Sequence, residues 1–209
     1  MKLIVITPDE TMPGETVIVN QLFENGLQRL HLRKSGFYST DYRTYIKSIA
    51  PEYHSRIVVH DFFGLYDEFG LGGIHLNSAT RMDKGTSAKI EQFSPSVIST
   101  SFHSWKEIEE NEFPFGYVFI SPVFDSISKM GYTASIALNR AEPTRHKLMK
   151  RGQYCPPFYA LGGVRASHIE ILKDYNFDGV AMLGAIWHSE SPVTTFCEAM
   201  DQIKAIGGD

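Results

Sequence analysis

The chain has 209 residues, 43% of them hydrophobic and 21% charged, and a net charge of −4. This is the profile of an ordinary globular protein with one hydrophobic core, so a single domain over residues 1–209 is expected. The mild negative charge and the lack of a basic run argue against a nucleic-acid partner, and no stretch reaches the roughly 18 apolar residues of a membrane span.

Apolar runs recur along the chain near residues 2–7, 28–33, 56–60, 72–76, 96–101, 117–121, 157–161 and 178–183. Each is short and bounded by polar residues or glycine, as expected of buried parallel strands. The first is too short for a secretion signal before Pro8-Asp9-Glu10 interrupts it, which predicts a cytoplasmic protein. Helical patterns fill the intervals. Val17, Ile18, Gln21 and Leu22 have the spacing of one helical face. Ser104 precedes Glu107 by three residues, a capping box ahead of the helix holding Ile108, and Ser167 to Glu170 repeats that pattern loosely. Another helix is expected to begin near Thr133. Cys155 and Cys197 have no CxxC spacing and read as small core hydrophobes, not as a disulfide framework.

Eight strand–helix units without a linker predict a closed (β/α)₈ TIM barrel. A doubly wound open sheet would explain the alternation but not eight units, and no GxGxxG follows the first strand. In a barrel the residues that end the strands converge on one face, where ligands bind. Those residues are His31 and Arg33, His60-Asp61, His75 to Asn77, Ser101 and His103, Ser121-Pro122, Gly162-Gly163, and Leu183-Gly184.

The two glycine sites after the last two strands predict a phosphate cradle, because barrels often hold phosphate on backbone N–H groups there. His31 and Arg33, two residues apart, fall on one side of their strand, with Arg33 suited to bidentate phosphate contact. Ser126, Ser128 and Lys129, with Gly131, read as an anion-clamping loop over the mouth. His31, His60, His75 and His103 invite a zinc reading. Against it stand the absence of any HxH pair and of a second acidic residue closing a strand. Asp61 alone suits Mg²⁺ held partly by substrate phosphates.

These residues, in this order, resemble thiamine phosphate synthase and its TenI-type relatives over nearly the whole chain. The synthase pattern Gln-x-Arg-x-Lys after strand two corresponds to His31-Leu32-Arg33-Lys34-Ser35. Its Asn-Asp corresponds to His60-Asp61, its Ser-x-His to Ser101-Phe102-His103, and its Gly-Pro-containing loop to residues 121–129. The phosphate clamps correspond to Gly162-Gly163-Val164 and Leu183-Gly184. The resemblance implies thiazole-phosphate binding through Ser101, Ser126, Ser128, Lys129, Gly162, Gly163, Leu183 and Gly184. It implies catalysis involving His31, Arg33 and His103, and a thiamine-pathway role with no organic cofactor.

The departures point away from a full synthase. The second Mg²⁺-binding aspartate of the family stands here as Thr80, so Asp61 is expected to hold Mg²⁺ weakly. Lys34 is one residue out of register, and a one-residue slip turns a side chain to the opposite face. The reading is a TenI-like protein that binds thiazole phosphate, with thiazole tautomerase activity in view. The alternatives are a synthase joining hydroxymethylpyrimidine diphosphate to thiazole phosphate, and a non-catalytic sensor or carrier of such phosphates. A homo-oligomer stays open.

Overall fold

A computed structural model describes residues 1–83, 85, 95–125 and 136–207. Eight parallel strands close into a barrel in sequence order. They are β1 (Lys2–Ile6), β2 (Leu30–Leu32), β3 (Ile57–Val59), β4 (Gly73–Leu76), β5 (Ile98–Phe102), β6 (Tyr117–Ile120), β7 (Phe158–Ala160) and β8 (Gly179–Met182). The described helices are α1 (Glu15–Glu24), α2 (Ser39–Lys47), α3 (Leu65–Phe69), α4 (Ser78–Met82) and α5 (Trp105–Glu109), then α6 (Ala141–Lys150), α7 (Ile169–Asp174), α8 (Gly184–Trp187) and α9 (Pro192–Ala205). Among the described residues, no helix is long and apolar enough to cross a membrane. The expected strands all form. The helix expected near Thr133 lies outside the described residues.

Two apolar layers hold the barrel. The larger lies between sheet and helices and includes Leu22, Ile46, Val59, Phe158, Trp187 and Phe196. The smaller fills the barrel itself with Ile4, Ile6, Tyr117, Phe119, Tyr159 and Ala181. Side chains alternate between these layers along each strand. Gly179 is small because Tyr159 occupies the interior beside it: a Cβ there would lie 2.2 Å from the Tyr159 ring.

Local signals are met unevenly. Ser104 caps α5, its hydroxyl accepting from the Glu107 amide at 3.3 Å. Ser167 caps nothing: it lies inside a short 3₁₀ turn, and α7 begins two residues later. The face of α1 is also rotated from expectation. Glu15, Val19, Leu22 and Phe23 are buried, while Val17 is 61% exposed. The physical reason is Glu15, a buried acid that α1 turns inward because its partner lies beneath the helix. The two cysteines are free and half-buried.

That partner is Lys34. Arg33 and Lys34 follow β2 on opposite faces, and Lys34 points outward under α1. Its ammonium meets Glu15 at 2.7 Å, the side chains 0% and 1% exposed. The Tyr45 hydroxyl donates to the same carboxylate at 2.6 Å, and the Met12 amide at 3.1 Å. Breaking one partner of a buried pair leaves an uncompensated charge, which costs about 3–5 kcal/mol. Lys34→Met is therefore expected to lower unfolding free energy by about that amount in urea titrations. Adding Glu15→Leu should recover most of the loss, and neither change should alter ligand affinity.

Candidate functional site

The carboxyl ends of the strands surround a cleft of about 630 Å³ to which every strand contributes. Its walls carry Arg33 after β2, Ser101 and His103 at β5, Ser121 after β6, Gly162-Gly163 after β7 and Leu183-Gly184 after β8. Its floor is His60, His75 and Phe119. The structure thus brings most of the expected residues together on one face.

Two expected residues, His31 and Asp61, sit elsewhere, and Thr80 stands where the family has its second aspartate. His31 is fully buried beneath the floor and is not part of the cleft wall. Asp61 is exposed and lies outside the cleft lining, with the Tyr42 hydroxyl 3.4 Å from its carboxylate. Thr80 sits in the first turn of α4, its hydroxyl donating to the Asn77 carbonyl at 3.0 Å and its amide to the Asn77 side chain at 2.9 Å. Ser126, Ser128 and Lys129 lie outside the described residues.

Arg33 is held at both ends. The Thr7 hydroxyl donates to its carbonyl at 2.8 Å and accepts from its amide at 2.9 Å, tying the ends of β1 and β2. Its guanidinium pairs with Asp9 at 3.1 Å. Asp9 was missed in the sequence, although a Pro-Asp step directly after a strand marks a loop over the mouth. Arg81 was missed too. It reaches from α4 to the Ser101 carbonyl, to the Thr100 hydroxyl at 3.0 Å and to Glu107 at 3.0 Å, bracing the end of β5.

The glycine pair is required by its backbone. Gly162 and Gly163 have φ of +92° and +65°, a region L side chains rarely adopt. A Cβ on Gly162 would lie 2.8 Å from Pro122, and one on Gly163 2.2 Å from the Asp125 carbonyl oxygen. The loops after β6 and β7 therefore pack backbone to backbone, stitched by Phe124 N–H donating to the Gly162 carbonyl at 3.1 Å.

A sequence model of the family described as "Thiamine monophosphate synthase" matches residues 3–186. The chain belongs to this family. Thiamine-phosphate synthase 1 of Streptococcus pneumoniae R6 is 24% identical over 211 residues, covering 97% of each chain. Thiamine-phosphate synthase of Haemophilus influenzae KW20 Rd is 24% identical over 184 residues, covering 83% of this chain and 78% of that one. Among solved structures, thiamine phosphate pyrophosphorylase from Bacteroides thetaiotaomicron aligns with a TM-score of 0.72 and 29% identity, over 98% of both chains. The Pyrococcus furiosus structure of that name has a TM-score of 0.78 at 20% identity, over 99% of this chain and 97% of that one, and shows the same fold.

Within this family frame the floor of the cleft is built from imidazoles. His60 and His75 stack with ring centroids 4.2 Å apart. His31 Nδ1 lies 2.9 Å from His60 Nε2, and its Nε2 hydrogen-bonds the Tyr117 hydroxyl. The Ser99 and Ser101 hydroxyls flank His75 at 2.9 and 3.1 Å. Burial holds all three histidines below their ordinary pKa, and nearby Arg33 and Arg81 add to the effect on His75, which falls to about 3. All three are neutral at physiological pH.

A folded state that rejects protons its unfolded chain accepts loses stability as pH falls. Full stability is therefore expected above about pH 6.5, the unfolded histidine value, with loss beginning below it. Each histidine contributes a slope of about 1.4 kcal/mol per pH unit, so three give at most about 4. Urea titrations in chelator-containing buffer between pH 7.5 and 5 should show that slope, and His75→Gln should reduce it by about a third. A flat profile would contradict neutral burial of the three rings.

Proposed function

We propose that the protein binds a thiazole phosphate in this cleft and rearranges it by proton transfer, in the manner of a TenI-type tautomerase. The supporting observation is the asymmetry of the cleft. The glycine backbone after β7 and β8, with Gly184 opening a helix, is an arrangement suited to a phosphate group. Beyond β1, at the end of β2, the cations are already engaged. Arg33 is paired with Asp9, and Lys34 is turned away into its pair with Glu15. A diphosphate leaving group would find little uncommitted positive charge from β2.

Mg²⁺ fits this chain poorly. The family pattern places two carboxylates at the mouth, whereas here Asp61 takes the Tyr42 hydroxyl and Thr80 is bonded to Asn77, the N-cap of its own helix. The reading accordingly routes no step through the metal.

His103 is the group placed to move the proton. Its Nδ1 lies 2.9 Å from the Ser121 carbonyl, which can only accept, so Nδ1 carries the hydrogen. In the neutral ring Nε2 then keeps its lone pair, ready to take a proton from a substrate carbon and return it. The Ser121 carbonyl fixes both the tautomer and the ring orientation. His31, sealed below the floor, reaches the cleft only through His60.

A second reading, a working synthase, is favoured by the names of the curated relatives and by a cleft roomy enough for two small substrates. The two are separated by assaying aromatisation of a thiazole carboxylate phosphate beside condensation with hydroxymethylpyrimidine diphosphate. His103→Gln should cut aromatisation kcat by about 100-fold or more with little change in KM, the usual scale of a lost general base. Gly163→Ala should abolish thiazole-phosphate binding, since that loop has no room for a Cβ. Robust Mg²⁺-dependent condensation, improved further by Thr80→Asp, would overturn the first reading in favour of the synthase.

A further inference from the structure

The two floor imidazoles and His31 beneath them come from consecutive strands. β3 and β4 pair Val59 with Ile74, which places His60 directly across from His75. β2 and β3 pair His31 with Val58, so His60 lies one inward-facing step nearer the mouth than His31. One nitrogen from each ring lies within 4.8 Å of the others. Side chains in this layer of a barrel are usually branched aliphatics packing against one another. Here the interior carries three nitrogen donors over two successive levels, with Phe119 beside His31 and His75.

Two of the rings, His31 and His75, are oriented from outside the cluster. Tyr117 holds Nε2 of His31, leaving Nδ1 facing His60. Ser99 holds Nδ1 of His75 at 2.9 Å, and Ser101 sits at Nε2 on the cleft side. Hydrogen bonds of this kind, on the nitrogen away from the ion, fix the tautomer and direction of a ligating histidine. We propose that His31, His60 and His75 form a three-histidine site for a nitrogen-preferring divalent ion such as zinc, with its fourth position open to the cleft.

Three arguments support it. The first is spacing. A tetrahedral ion with bonds of about 2.0–2.1 Å separates its ligand nitrogens by about 3.3 Å. The contact of 2.9 Å between His31 and His60 and the outer limit of 4.8 Å bracket that distance, so small ring rotations suffice. The second is chemistry. Neutral imidazole is the ligating form, and burial already keeps these rings neutral. Binding requires that the proton between His31 and His60 move to the far nitrogen of its ring, where Tyr117 can accept it from His31, and that Ser101, at the cleft side, release Nε2 of His75. The third is access. His60 and His75 line the cleft, so an ion can enter from it and leave its last position for water or a ligand oxygen. Three nitrogens without a carboxylate select zinc, cobalt, nickel or copper over Mg²⁺.

This inference is independent of the thiazole-phosphate reading, and its test uses no substrate. Purified protein is stripped with a chelator, dialysed, and titrated with Co²⁺ and then Zn²⁺. One Co²⁺ per chain should bind with the strong visible absorption of a four-coordinate ion, and Zn²⁺ should displace it while Mg²⁺ does not. His60→Gln, at the open side of the cluster, should weaken binding at least 100-fold while the circular dichroism spectrum stays native. Tyr117→Phe keeps all three ligands and should weaken binding 10- to 100-fold through ring orientation alone. A folded wild-type protein that takes up no Co²⁺ or Zn²⁺ at millimolar concentration overturns the proposal. Binding that is unchanged in folded His60→Gln overturns it equally, because the ion would then be held elsewhere.

Discussion

Strand alternation in a closed barrel is the constraint on which the rest of this molecule depends. Each strand residue has two destinations, the interior or the layer beneath the helices, and its neighbour takes the other. Arg33 and Lys34 show how sharply this divides chemistry. One residue apart, they become a cleft cation held by Asp9 and a dry ion pair with Glu15. The same rule sends His31, His60 and His75 inward together, because the strand pairing keeps them on one face.

That constraint also explains what was legible in the sequence. The eight strands could be read because a parallel strand covered on both faces is continuously apolar over its short length, and each run here matches a strand within a residue or two. Helix faces were harder. The α1 face was misplaced because the apolar Val17 is exposed while the charged Glu15 is buried, and only the position of Lys34 across the layer explains that choice. Of the residues that line the cleft, the glycines and His103 could be read from their positions at strand ends. Asp9 and Arg81 were not, since each acts through a distant backbone or side-chain partner. The histidines that cluster were named in the sequence but weighed against metal binding for a related reason. A search for paired histidines along one strand finds nothing here, whereas neighbouring strands each supply one.

The cleft itself combines rigid and adjustable walls. The loops after β6 and β7 leave no space for a single methyl group at Gly162 or Gly163, so their backbone is set by packing. The neighbouring wall at β1 and β2 depends on ion pairs and hydrogen bonds among partly exposed groups, such as Arg33 with Asp9, that a charged ligand can exchange. On the proposed reading, the shape around a phosphate would be set by the glycine loops, and a second group would be accommodated beside Arg33.

The seam between β1 and β8 has a consequence for how the site comes into being. It pairs Lys2 to Val5 with Gly179 to Met182, and the Trp187 indole donates to the Ile6 carbonyl at 2.7 Å across the same join. Asp9 lies just beyond one side of that seam and Gly184 just beyond the other. During synthesis the first strand must wait for almost the entire chain before its second neighbour exists. The cleft wall that spans this seam is thus incomplete in any nascent chain that lacks β8, and it is finished in a single late event, when the cylinder shuts.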